Sequence, residues 1–117
     1  NRTFYMVVDN MSTGTAVMKI VDNTTALTVT SVGTIADVSV DSLAIDADSN
    51  GVPYIVVDNT TVGATLYRTT SLTNLGTTTI FGPVDVQVSS DNTKVGVAGV
   101  SAASTTTYPA VRVWYNE

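Results

Sequence analysis

No stretch of the chain keeps apolar residues at i, i+3, i+4 and i+7 without a Thr, Gly or Asn breaking the stripe, so the pattern predicts no helix. The apolar positions fall instead into short runs rich in β-branched residues, each bounded by Asn, Asp, Gly or Ser, which is the mark of strands separated by tight turns. The predicted strands are Thr3–Asp9, Ala16–Val21, Ala26–Val32, Ser42–Asp46, Tyr54–Asp58, Thr65–Thr70, Thr77–Phe81, Val84–Ser89, Val95–Val100 and Ala110–Tyr115. Asp9-Asn10, Asp22-Asn23, Asn50-Gly51, Asp58-Asn59 and Asp91-Asn92 supply turn chemistry between them, and Asn50-Gly51 is the strongest hairpin signal.

One pattern recurs. Phe4-Tyr5-Met6-Val7-Val8-Asp9-Asn10 matches Pro53-Tyr54-Ile55-Val56-Val57-Asp58-Asn59 at an offset of 49 residues. At the same offset Gly14 meets Gly63, Met18 meets Tyr67 and Lys19 meets Arg68. A fainter third copy follows, in which Val86–Ser89 echoes Leu43–Asp46 and Val95–Ala98 stands where Pro53–Val56 stood. The expected units are approximately 1–41, 42–84 and 85–117, within a single β domain. Tyr54-Ile55-Val56-Val57 is continuously apolar, which predicts burial on both faces rather than one. Four strands per unit, with inner strands covered on both sides, describe a blade stacked between its neighbours in a β-propeller.

Residues Ser42–Arg68 carry a specific version of that pattern. Ser42, Leu43, Ile45, Asp46, Gly51, Pro53 and Tyr54, then Asp58, Leu66 and Tyr67, resemble the repeat of sialidase-type (BNR-like) β-propellers, in which an SLALD-x-x-G-x-P-Y hairpin leads into a D…G-x-L-x-Y strand. Thr3–Ile20 resembles it in part. The resemblance implies a propeller fold. It does not bring the catalytic set of sialidases, an arginine cluster with a tyrosine–glutamate pair and an acidic residue, because this chain has three arginines and a single glutamate, Glu117. The strand pattern starts at the second strand of one blade and stops at the third strand of another. The expectation is therefore an all-β, incomplete β-propeller of about two and a half blades, where closed propellers have at least about four. Open blade edges are pairing templates, which predicts a homo-oligomer or pairing with further blades of the same protein. The same ten runs also admit a β-sandwich or jelly-roll, with strands alternating inside and outside.

Composition sharpens the picture. The chain has 117 residues, enough for one core. Charged residues are 13%, and 21 threonines supply much of the neutral polar surface. Net charge is −5, and the five basic residues Arg2, Lys19, Arg68, Lys94 and Arg112 are scattered, which argues against neutralising a phosphate backbone or an anionic membrane surface. No hydrophobic run is long enough for a membrane span. Cys and His are absent, which removes thiolate chemistry and the common zinc sites. A start at Asn1 without Met fits a removed leader or a fragment. Asn10, Asn23 and Asn59, like Asn1, stand in Asn-x-Ser/Thr sequons and are candidate glycosylation sites, in keeping with an extracellular, secreted or cell-surface location.

Candidate chemistry is thin. Asp46, Asp48 and Asn50 with Gly51 have the D-x-D-x-N-G spacing of a calcium loop, in which alternate side chains point oxygens at one ion. Val57 occupies the position where such a loop needs a bidentate Glu, and an Asp/Asn/Gly hairpin turn accounts for the same residues. The nine Asp residues fall mostly at strand ends and turns, and no His exists to activate a Ser or Thr nucleophile. Among the aromatics, Tyr54, Tyr67 and Trp114 are candidate ligand contacts of the kind on which sugars stack, against core packing as the plainer role. The chain thus reads as a non-catalytic extracellular structural protein without a cofactor, calcium aside, that completes its sheets by self-association into a ring or filament. The alternatives are a carbohydrate-binding, lectin-like module and a strand-exchanging filament subunit with a sandwich fold.

Overall fold

The computed structural model describes residues 2–10, 13–36, 40–59, 62–69, 73–101 and 108–115. These form ten β-strands and no helix: β1 Arg2–Asn10, β2 Gly14–Asp22, β3 Leu27–Ile35, β4 Val40–Ala47, β5 Pro53–Asn59, β6 Gly63–Arg68, β7 Thr73–Thr77, β8 Ile80–Val88, β9 Lys94–Ser101 and β10 Pro109–Tyr115. They make three antiparallel sheets, β1-β2-β3 (sheet I), β4-β5-β6-β7 (sheet II) and β8-β9-β10 (sheet III). Within each sheet the strands follow one another in sequence, so the jelly-roll alternative, which needs strands that cross between sheets, is not met. The sheets do not close on one another into a ring.

Sheet II lies between the other two, and each of its faces is covered. Tyr54, Val56, Ala64 and Leu66 pack with Val86, Val88, Val95 and Val97 of sheet III. On the opposite face Ile55, Val57, Leu43 and Ile45 pack with Val7, Val17 and Ile35 of sheet I. Successive side chains of a strand point to opposite faces, so β5 feeds both cores, and its run of apolar residues follows from that.

The 49-residue repeat extends to backbone detail. Asn10 pairs with Gly14 across the first turn and Asn59 with Gly63 across the second. Both glycines have positive φ, 104° and 97°. A Cβ on Gly14 would run into the carbonyl oxygen of Ile35, and one on Gly63 into that of Thr78. The next pairing carries the same irregularity in both sheets: the register shifts between Val17 and Met18 in sheet I and between Leu66 and Tyr67 in sheet II. Gly33 faces Val17 and Gly76 faces Leu66 at these shifts. Sequence comparison misses this last pair because β2 has nine residues and β6 has six, which changes the offset beyond the turn.

The strand expected at Thr77–Phe81 is corrected. Thr77 ends β7, Ile80 begins β8, and Thr78 makes the corner between two sheets. The Thr78 N–H donates to the Ala64 carbonyl at 2.7 Å and its hydroxyl to the same oxygen at 3.1 Å, while the Ile80 N–H donates to Thr78 Oγ1 at 3.0 Å. A threonine hydroxyl that takes local backbone groups competes with the ladder and stops the strand. The real fourth strand, Thr-Asn-Leu-Gly-Thr, has little intrinsic strand preference and is held by pairing with β6. Pro83, expected to lie ahead of a strand, sits inside β8 where the pairing with β9 shifts between Phe81 and Asp85, the place in a sheet where a residue without an N–H is tolerated.

Candidate interaction surfaces

Asp46 and Ser49 of the calcium-like segment join Ser42 and Asp58 in building the seam between sheets II and III. β8 is an edge strand, and an edge strand leaves a row of N–H groups without ladder partners. Three of these groups find side chains of sheet II. Gly82 N–H donates to Asp58 Oδ2 at 2.7 Å, Val84 N–H to Ser42 Oγ at 3.1 Å and Val88 N–H to Asp46 Oδ2 at 2.7 Å. Asp58 is buried, and a carboxylate accepting a backbone N–H makes a stronger bond than a neutral pair does. The tips of the β4–β5 and β8–β9 hairpins are joined as well. Ser49 N–H donates to Asn92 Oδ1 at 3.1 Å, and Asn92 Nδ2 donates to Ser49 Oγ.

Asp48 organises its own hairpin. Its Oδ1 accepts the N–H groups of Asn50 and Val52, each at 2.9 Å, and Gly51 takes φ 78° to close the turn. Asp46 and Asp48 therefore act on different partners, one on sheet III and one on its own loop. Among the described residues no group of three or more His, Cys, Asp or Glu side chains is placed to hold a metal ion. In the matching turn of sheet III, Asp91 Oδ1 accepts the hydroxyls of Thr93 and Ser89, each at 2.7 Å, and the Thr93 N–H at 3.1 Å. These bonds favour the ionised form and hold the Asp91 carboxyl well below the usual carboxylate range.

The remaining candidates are dispersed. Tyr54 is buried at 1% exposure between sheets II and III, so a ligand could reach its ring only by parting them. Tyr67 is half-buried against sheet I. Trp114 is half-buried on the side of β10 that faces sheet II, with the Arg112 guanidinium 5.1 Å from its ring centre. Asn23 is exposed at the β2–β3 turn, where its Oδ1 accepts the Thr25 and Ala26 N–H groups at 3.2 and 2.8 Å. The Asn59 side chain accepts the Val62 N–H at 3.3 Å, Asn10 ends β1, and Asn1 lies outside the described residues.

Sequence reasoning missed the feature that separates the sheets most clearly. Sheet II is covered on both faces, while sheets I and III each have one open face. On sheet I, Phe4, Met6 and Val8 of β1 share the outer face with Leu27 and Val29 of β3, and all five are exposed. Cross-strand register places them in rows: Phe4 with Ile20 and Val29, and Met6 with Met18. On sheet III, Val111, Val113 and Tyr115 are exposed on the face away from sheet II, beside the small residues Ala98 and Gly96. The signal was present in the sequence, because β1 is as apolar as β5; what it lacked was the knowledge that no described sheet lies outside β1. No family model matches the chain, and neither a curated protein nor a solved structure matches it.

Proposed function

We propose that this chain is a non-catalytic structural repeat protein of the β-propeller kind, acting at the cell surface or outside it, whose sheets are completed by stacking against further copies of the same repeat. The observation that carries the reading is the contrast between equivalent positions of the repeat. Ile55 and Val57 are 0% and 1% exposed, whereas Met6 and Val8, 49 residues earlier, are 42% and 44% exposed. The same residues in the same register are core in one sheet and surface in the other, which is what a stack interrupted at its ends presents. Ser42–Tyr54 and Leu66-Tyr67 of the sialidase-like repeat support the propeller assignment, and the sheets of consecutive strands laid one on the next agree with the coarser reading of a stacked all-β repeat. The sequons support the location.

Light scattering over a range of concentrations tests the reading. The expected result is a mass that rises above the 12.2 kDa of the single chain. A particle that keeps the single-chain mass up to about millimolar concentration, where even weak contacts of about 4 kcal/mol are populated, refutes it. Carbohydrate recognition has the weaker footing, since Tyr54 is a core residue and Arg112 lies over the Trp114 ring.

A further inference from the structure

The geometry points to a head-to-tail contact between copies of this chain, in which the open face of sheet III in one copy covers the open face of sheet I in the next. This inference rests on the self-association proposed above and adds its surfaces and direction. Call the face of a sheet that looks toward the next sheet along the chain its front, and the other its back. Both contacts inside the molecule are front to back in the terms of the repeat as well: Ile55 and Val57, the counterparts of Met6 and Val8, face sheet I, and Val86 and Val88, which echo Leu43 and Ile45, face sheet II in the way Leu43 and Ile45 face sheet I. The surfaces left over are the back of sheet I and the front of sheet III. Phe4, Met6 and Val8 are the counterparts of Pro53, Ile55 and Val57, which a front face covers completely. The occupant of the first back face is therefore a front face of the same kind, and the described residues leave one open, that of sheet III.

Shape agrees with this pairing. The centre of the sheet III front is hollow, a shallow groove of about 200 Å³ lined by Asp85, Gln87, Gly96, Ala98 and Val111. The centre of the sheet I back is raised by the long side chains of Phe4, Met6 and Met18, which share that face. A groove offered to a ridge buries more apolar surface than two ridges would, and it disfavours a back-to-back dimer. Because the two surfaces differ, the contact is heterologous: it repeats from copy to copy and ends in a ring or a filament according to the rotation per step.

A mixing experiment tests the direction. The variant Met6→Lys blocks the back of sheet I, and Val113→Lys blocks the front of sheet III; both residues are exposed, and the signal of the single tryptophan, Trp114, reports that each variant is folded. Where the wild type forms oligomers, each variant alone is expected to fall to the single-chain mass, and an equimolar mixture is expected to recover a species of twice that mass, because each partner contributes its intact face. Val8→Lys and Tyr115→Lys serve as a second pair should either of the first lose its folded signal. A wild type that assembles while the mixture stays at the single-chain mass, or a variant that still grows into long oligomers, overturns the head-to-tail contact and leaves self-association standing. A wild type that never assembles overturns both.

Discussion

β1 and β5 carry nearly the same residues, turn at the same Asp-Asn pair, pair with the following strand in the same register and lead to the same register shift, yet they end in different surroundings. Their front sides agree in part: Val17 on the next strand of sheet I and its counterpart Leu66 in sheet II are both wholly buried, while Tyr5 and Val7 are half-buried where Tyr54 and Val56 are buried. Their back sides do not, since sheet II has a sheet behind it and sheet I does not. Backbone shape is thus set within a hairpin by its own residues, while burial is set by what stands next to the sheet. The front sides also differ at one polar position. Asp9 and Asp58 are the same residue of the repeat, but Asp9 is exposed and Asp58 is a buried acceptor for the Gly82 N–H.

Substitutions at matched positions measure this contrast in dilute protein, where chains are single. The largest difference is expected between Ile55→Ala and Met6→Ala. Removing a buried isoleucine side chain costs about 2–5 kcal/mol, whereas Met6→Ala, on an open face, is expected to change stability by about 0.5 kcal/mol. Urea unfolding followed through Trp114 reads both values, and equal losses would mean that something covers β1 even in the dilute chain. Next comes Asp58→Ala against Asp9→Ala. The first leaves the Gly82 N–H without its acceptor and is expected to cost about 1–3 kcal/mol, the second close to nothing; hydrogen exchange at Gly82 should accelerate in the first variant alone. The smallest difference is expected between Gly63→Ala and Gly14→Ala. Both positions have positive φ and a carbonyl where the methyl would go, so each should lose more than about 1 kcal/mol, and the two losses should match. A clear inequality there would break the equivalence of the two hairpins on which the contrast depends.

Much of the strand pattern was legible because β structure in this chain is signalled locally. Alternation and β-branched runs marked β1, β2, β5 and β9 to within two residues at either end, and Asn50-Gly51 marked the β4–β5 hairpin. The reading failed at Thr73–Phe81, where Asn74 and Gly76 carry no strand signal and pairing with β6 decides the matter. It misjudged the aspartates in a related way. Asp46 and Asp48 look like partners in one loop because they are two residues apart, but residues two apart on a strand share a face only while the strand lasts, and Asp48 lies beyond the end of β4. Asp46 therefore reaches across to β8, and Asp48 turns inward on its own hairpin.

By itself the sequence determined that the chain is all β, that its first and middle units are copies, and that Tyr54–Val57 must be covered on both faces, since these depend on side-chain type and spacing along a single strand. The tertiary structure alone decided which copies are covered, that Asp58, Ser42 and Asp46 close the free edge of β8, and that two apolar faces stay open at opposite ends of the stack. Those outcomes depend on which sheet lies beside which, a relation between segments 24 to 42 residues apart in the hydrogen bonds that join them, and no local run of residues carries it.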